Sequence, residues 1–217
     1  MKPIFIFGSG ERDSISFYLP FLAEKNNIIA IDGGADLLHE LNILPDWVIG
    51  DFDSITKEAD QWLFDHSVIR YSFPSNKAAS DFELASQKII QMYSPTEIGL
   101  FCMLGKRSDH FLFNLIVCEQ LLNHGFNSVF YSQMETIYFI DSEHPLCTKG
   151  IAGDIVSVQP CRETVMIQNT KGLKYSLQEE ELHRLSSRGL SNEMVDNQFE
   201  ISIGKGQAIV IHTRKTL

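Results

Sequence analysis

Short apolar runs recur along the first part of the chain: IFIF (4–7), IIAI (28–31), WVI (47–49), VIRY (68–71), IGLFCML (98–104) and SVFY (128–131). Runs of this length without polar alternation predict strands buried on both faces. Between them the period changes. In DFELASQKIIQM (81–92), Phe82, Ala85, Ile89 and Met92 share one helical face, and HFLFNLIVCEQLLNHG (110–125) is closed by Gly125 as a natural C-cap. Strand and helix in alternation predict an α/β fold, a mostly parallel sheet with helices on both faces.

After about residue 135 the helical pattern stops. ETIYFI (135–140), DIVSVQ (154–159), TVMIQ (164–168), FEISI (199–203) and QAIVI (207–211) read as short strands separated by turn signals such as KGIAGD (149–154). FEISI and QAIVI, joined through Gly204, Lys205 and Gly206, predict a hairpin. LQEEELHRL (177–185) is polar and reads as a helical turn or a loop. The expectation is an α/β domain over 1–134 and an all-β domain over 135–217.

Composition narrows the function. With 44% hydrophobic and 21% charged residues the chain is of ordinary globular type. A net charge of −10 argues against nucleic-acid binding by phosphate neutralisation, but not against one nucleotide held locally. The four cysteines form no CxxC pair, and they read as reduced packing thiols. The N-terminal apolar run is too short for a signal peptide, and no stretch approaches a membrane span, so a cytoplasmic address is expected.

Chemistry enters at IGDFDSI (49–55), where Asp51 and Asp53 follow an apolar strand. In an extended segment, positions i and i+2 face the same side, about 6.5–7 Å apart. Two carboxylates that close repel by roughly 3 kcal/mol at an effective dielectric near 20. Water or a cation must offset that cost. The carboxyl end of a strand is where open α/β sheets bind ligands, and hard oxygen donors suit Mg²⁺. A solvated acidic turn accounts for the same residues equally well.

Four other segments repeat the theme. SNKAASDFELA (75–85) opens a helix with Ser80 as N-cap, Glu83 three residues on, and Asp81 at the first helical position. In GKRSDHFLFNL (105–115), Ser108 or Asp109 is the expected cap, and Arg107 is a potential bidentate phosphate ligand or a surface ion-pair partner. FGSGER (7–12) and IDGGAD (31–36) carry glycines that permit close approach of backbone to a ligand, or simply turn the chain.

IDGGADLLHELNILPDWVIGDFDSI (31–55), KAASDFELA (77–85), LGKRSDHFLFNL (104–115), GLKYSL (172–177) and GLSNE (189–193) together resemble, in order, the signatures of the thiamin pyrophosphokinase family. The resemblance implies an N-terminal α/β domain that binds ATP and a C-terminal β-sandwich that helps bind thiamin. It implies transfer of pyrophosphate from ATP to the thiamin hydroxyl by a homodimer, with thiamin between the catalytic domain of one subunit and the β domain of the other. By position, Asp51, Asp53 and Asp81 would be catalytic and hold Mg²⁺. Asp32, Gly33, Gly34, Arg107 and Asp109 would belong to the ATP site, and Ser191, Asn192 and Tyr175 would face thiamin. Ala78 stands where family members often carry an acid. Two alternatives are a catalytically silent thiamin or nucleotide sensor and a DxD nucleotide-sugar transferase using Asp51 and Asp53.

Overall fold

The computed structural model describes residues 2–24, 26–74 and 78–215. Lys77, which opens the KAASDFELA stretch, lies outside the described residues, as do Ser75 and Asn76. The chain divides into two compact units, Met1–Ser132 and Gln133–Leu217.

In the first unit the elements run β1 (Ile4–Phe7), α1 (Ile15–Leu22), β2 (Asn27–Ile31), α2 (Gly34–Glu40), β3 (Trp47–Gly50), α3 (Lys57–Asp65), β4 (Ile69–Ser72), α4 (Asp81–Met92), β5 (Glu97–Phe101), α5 (Ser108–Asn123) and β6 (Asn127–Tyr131). The strands lie in the order β6-β5-β1-β2-β3-β4, and every pair is parallel. From β1 the chain winds outward through β2, β3 and β4, then returns to β5 on the other side of β1. That reversal opens a crevice beyond the carboxyl ends of β1, β2 and β5, where such sheets bind ligands. Beneath it is an aromatic core in which the Phe7 and Phe101 rings stack at 4.9 Å and Tyr18 of α1 is fully buried.

Two details differ from the sequence pattern. VIRY forms an edge strand, so Ile69 is 55% exposed rather than buried. Phe82, Ala85 and Ile89 do bury one face of α4, but Met92, its last residue, stays in solvent. Gly125, at φ 80°, follows α5 and its cap residue His124 as expected of a helix terminator.

The second unit contains β7 (Glu135–Asp141), β8 (Leu146–Lys149), β9 (Ile155–Pro160), β10 (Thr164–Lys171), β11 (Gln178–His183), β12 (Asn192–Glu193), β13 (Gln198–Lys205) and β14 (Gln207–Thr213). They form two antiparallel layers, β12-β9-β14-β7 and β11-β10-β13-β8. Val156, Val158 and Val210 of one layer pack with Val165, Ile167, Phe199 and Ile201 of the other, a β-sandwich core. β13 and β14 are not the expected hairpin. The turn at Gly206 passes the chain from one layer to the other, where β14 pairs with β7 and β9. LQEEELHRL is neither helix nor loop but contains β11. It pairs with β10 so that Leu182 enters the core, while its charges face out along the sheet edge. No helix among the described residues is long and apolar enough to cross a membrane.

Candidate active site

The site starts where β1 ends. Beyond Phe7 the chain continues along the end of β5: Gly8 N–H donates to the Phe101 carbonyl (2.9 Å), Gly10 N–H to that of Cys102 (2.6 Å) and Glu11 N–H to that of Leu104 (2.8 Å). FGSGER is therefore one wall of the crevice. Gly34 begins α2 close against this wall; a Cβ there would lie 1.9 Å from the Phe7 carbonyl oxygen. It is a packing residue first, and Gly33 before it is the N-cap. A cleft of about 420 Å³ lies here, lined by Ser9, Asp32, Asp81, Lys106 and Arg107 among others. A groove of about 480 Å³ between α4 and α5 is lined by Gln, Ser, Ile, Asn and His side chains without a carboxylate, so the chemistry favours the former.

Asp32 sits at the back of the cleft in a left-handed conformation, φ 44°. Its main chain joins β2 to the end of β3 (Asp32 N–H to Ile49 O, 3.0 Å), and Phe52 N–H donates to its Oδ1 (3.4 Å). The carboxylate occupies the space a side chain at Gly50 would need: a Cβ on Gly50, itself at φ 152°, would fall 1.6 Å from Asp32 Oδ1. Burial, then the charge and hydrogen bond of Asp81 and the charge of Asp51, push Asp32 up from 3.8 to about 7 against the opposing Phe52 N–H.

Asp51 and Asp53 come together, but not through strand alternation. β3 ends at Gly50, and Phe52 between the two acids is left-handed at φ 63°. Asp53 N–H donates to Asp51 Oδ1 (3.3 Å), a local Asx-type turn. The Arg70 guanidinium covers the Phe52 ring at 4.7 Å. Asp36 ties the loop down from α2, its Oδ1 accepting from Thr56 N–H (3.0 Å) and Thr56 Oγ1 (2.7 Å). Thr56 in turn caps α3 through Ala59 N–H. A hydrogen bond with Asp51 and its charge, reinforced by Asp81, raise the Asp53 pKa.

Asp81 opens α4 as expected, with Ser80 Oγ accepting from Glu83 N–H (3.2 Å). Asp32 and Asp81 thus share one hydrogen bond, Asp51 and Asp53 another, and each pair feels the other's charge. Among the described residues no three His, Cys, Asp or Glu side chains already surround a single metal position. The donor chemistry still fits Mg²⁺, which takes one or two carboxylates, waters and substrate phosphate oxygens rather than a closed protein cage. A divalent cation would also offset the burial and neighbouring negative charge that hold Asp32 up, and the interaction with Asp51 that raises Asp53.

Basic groups supply the rest of the lining. Arg107, not Ser108 or Asp109, is the N-cap residue of α5 and makes no side-chain cap. Its guanidinium instead grips Asp109 in a two-pronged pair, Nε to Oδ1 at 3.1 Å and a terminal nitrogen to Oδ2 at 2.6 Å. That pair, with His110 N–H, lowers Asp109 to about 2 and raises Arg107. Lys106 carries no role in the sequence reading, yet its Nζ donates to the Ser9 carbonyl (2.8 Å); Asn114, which enters that reading only as part of the LGKRSDHFLFNL signature, is buried with its amide toward the Met103 carbonyl (3.4 Å). Lys106 was visible as a cation beside Arg107; nothing in the pattern marked the bond of Asn114.

In the second unit, Asn192 is buried and its amide is spent on the main chain. Oδ1 accepts from Tyr175 N–H (3.0 Å) and Glu193 N–H (2.9 Å), and Nδ2 donates to the Tyr175 carbonyl (2.7 Å). Asn192 therefore positions Tyr175, whose ring is 55% exposed. Ser191 is left-handed (φ 56°) and its N–H donates to Ser157 Oγ (3.0 Å). Ser191 and the Tyr175 ring are the exposed parts of this cluster.

Comparison with known proteins agrees with this architecture. The thiamin pyrophosphokinase catalytic-domain family matches residues 19–130, and the thiamin pyrophosphokinase vitamin B1 binding-domain family matches residues 143–208. The chain is 27% identical to the thiamine pyrophosphokinase of Bacillus subtilis (strain 168) over 218 aligned positions, 98% of this chain and 99% of that protein. The crystal structure of a Bacillus subtilis thiamine pyrophosphokinase superposes with a TM-score of 0.85 at 23% identity, covering 99% of this chain and 100% of the other. That of Candida albicans thiamin pyrophosphokinase gives 0.81 at 14% identity, covering 98% and 89%. The structural likenesses establish the fold. Because the catalytic-domain family alone accounts for more than half of the sequence, and the B1-binding family for most of the sandwich, this chain belongs to the thiamin pyrophosphokinase family.

Proposed function

We propose that the chain transfers the pyrophosphoryl group of ATP to the hydroxyl of thiamin, giving thiamin diphosphate and AMP. The observation that carries this reading is the grouping of Asp32, Asp51, Asp53 and Asp81 at the strand reversal, beside a cleft that also holds Lys106 and Arg107, in a chain of this family. The thiamin oxygen attacks the β-phosphorus. The new O–P bond forms as the bridge to the α-phosphate breaks, its electron pair leaves on AMP, and the hydroxyl proton passes to a carboxylate.

Asp53 or Asp81 takes that proton. Both belong to the group of acids at the strand reversal, Asp53 beside Asp51 and Asp81 beside Asp32, where a carboxylate can take a proton from an incoming hydroxyl. Mg²⁺ held by Asp51, Asp53 and Asp81 would supply charge neutralisation for the phosphate oxygens. Positioning and electrostatic stabilisation are the main terms in phosphoryl transfer. Asp109 fixes the direction of the Arg107 guanidinium, and the Gly8–Gly10 main chain brings backbone close to the nucleotide. We assign ATP binding and catalysis to residues 1–134 and thiamin contacts to residues 135–217, with Tyr175 as the stacking surface for a cationic ring. The functional form is a homodimer with thiamin at the subunit interface.

Purified protein incubated with ATP, Mg²⁺ and thiamin should form AMP and thiamin diphosphate in equal amounts. A silent sensor is the second reading, favoured by Ala78 in place of an acid. It would bind thiamin tightly and release no AMP.

A further inference from the structure

We infer that Lys106 is a nucleotide-phosphate ligand in this cleft, a role that rests on reading the cleft as the ATP site. Among the described residues its lining includes the basic side chains Lys106 and Arg107. Arg107 is committed, its guanidinium neutralised by two bonds to Asp109. Lys106 is not: its ammonium makes one hydrogen bond, to the neutral Ser9 carbonyl at 2.8 Å, and has no carboxylate partner among the described residues. An ammonium carries three donors, so two remain for an incoming anion.

The backbone reinforces the assignment. Lys106 is left-handed at φ 51°, a conformation that suits glycine and disfavours a long side chain. Local propensity does not explain a lysine there. Its ammonium does: the left-handed turn sends the side chain from the β5–α5 loop to the Gly8–Gly10 wall, 97 residues away in sequence. A polyphosphate entering a cleft that also holds Asp32 and Asp81, on a chain of net charge −10, needs a compensating cation. Lysine meets phosphate as a point charge and tolerates the change in phosphate geometry during transfer.

Lys106→Gly tests the inference, because it removes the ammonium while suiting the backbone, so the melting temperature should hold or rise. With Mg²⁺ present, KM for ATP should rise about 10-fold or more, the loss expected for a charge-assisted hydrogen bond. KM for thiamin should stay within about twofold, and Lys106→Arg should recover most of the ATP affinity. An unchanged KM for ATP, with a lowered melting temperature, would reduce Lys106 to a structural hook on Ser9 and overturn the inference. Calorimetric titration of Mg-ATP without thiamin separates this from the parent reading. If the wild type makes no AMP yet binds ATP, an approximately 10-fold weaker Lys106→Gly sustains the ligand role, and equal affinity ends it. A wild type that binds no ATP refutes both.

Discussion

Asp32 offers the sharpest test of the site's electrostatics. Burial and the charge of Asp81 raise its folded-state pKa to about 7, whereas in the unfolded chain it titrates near 3.8. Below that unfolded value it is protonated in both states, and its full contribution is present. As pH rises towards about 7 the unfolded chain releases a proton that the folded one keeps, so stability falls, and the loss is complete above the folded value. The displacement alone corresponds to at most ~4 kcal/mol; solvent reaching a half-buried carboxylate reduces this to ~1–2 kcal/mol. Asp32→Asn removes the titration and keeps the shape. In metal-free buffer the variant should match the wild type at about pH 3, below the unfolded value, and exceed its melting temperature by ~3–6 °C at about pH 8. Mg²⁺ should stabilise the wild type more at the higher pH, since its ligands must be deprotonated. Parallel pH–stability curves for the two proteins would refute the proposed crowding of carboxylates.

Three further outcomes follow from single contacts. Gly50→Ala places a Cβ 1.6 Å from Asp32 Oδ1, so it should cost ~2–4 kcal/mol in urea unfolding and displace the carboxylate; an unchanged midpoint would contradict this packing. Asp36→Ala removes both bonds to Thr56, and faster amide exchange over 51–57 is expected with at most ~1–2 kcal/mol of lost stability. In the sandwich, buried Asp154 accepts from His212 Nε2 (2.8 Å), Lys215 N–H (2.9 Å) and Ile151 N–H (3.1 Å). Burial alone would raise its pKa, but these donors together hold it below the ordinary value. Its stabilisation is therefore present above about pH 4 and lost as pH falls through the lower folded value. Asp154→Asn should lose ~1–3 kcal/mol at neutral pH and flatten that acid limb; equal acid limbs would contradict it.

How far the sequence alone reaches can be read from particular residues. The parallel layer is written plainly, because strands buried on both faces are uninterrupted apolar runs and α4 carries both period and cap. β11 is not, since an edge strand buries only Leu182 and its charges mimic a loop. The β13–β14 connection looks like a hairpin because a glycine turn has the same sequence whether its strands pair or part to different layers. α1 carries Pro20 and no capping side-chain bond, so its helical state comes from burying Tyr18 against the aromatic core. In the site, the acids could be named but not placed. The approach of Asp51 to Asp53 comes from a left-handed Phe52, and the position of Asp32 from the missing side chain of Gly50. Both are backbone conformations that composition and periodicity do not encode.

The measurement that bears most directly on the account is the rate of thiamin-dependent AMP formation by Asp81→Asn, taken beside its melting temperature. Asp81 interacts with Asp32 and Asp53 at the start of α4, so loss of its charge should lower the rate ~1,000-fold or more while the fold persists. A variant turning over near the wild-type rate, with an unchanged melting temperature, would contradict a carboxylate cluster at the centre of the chemistry.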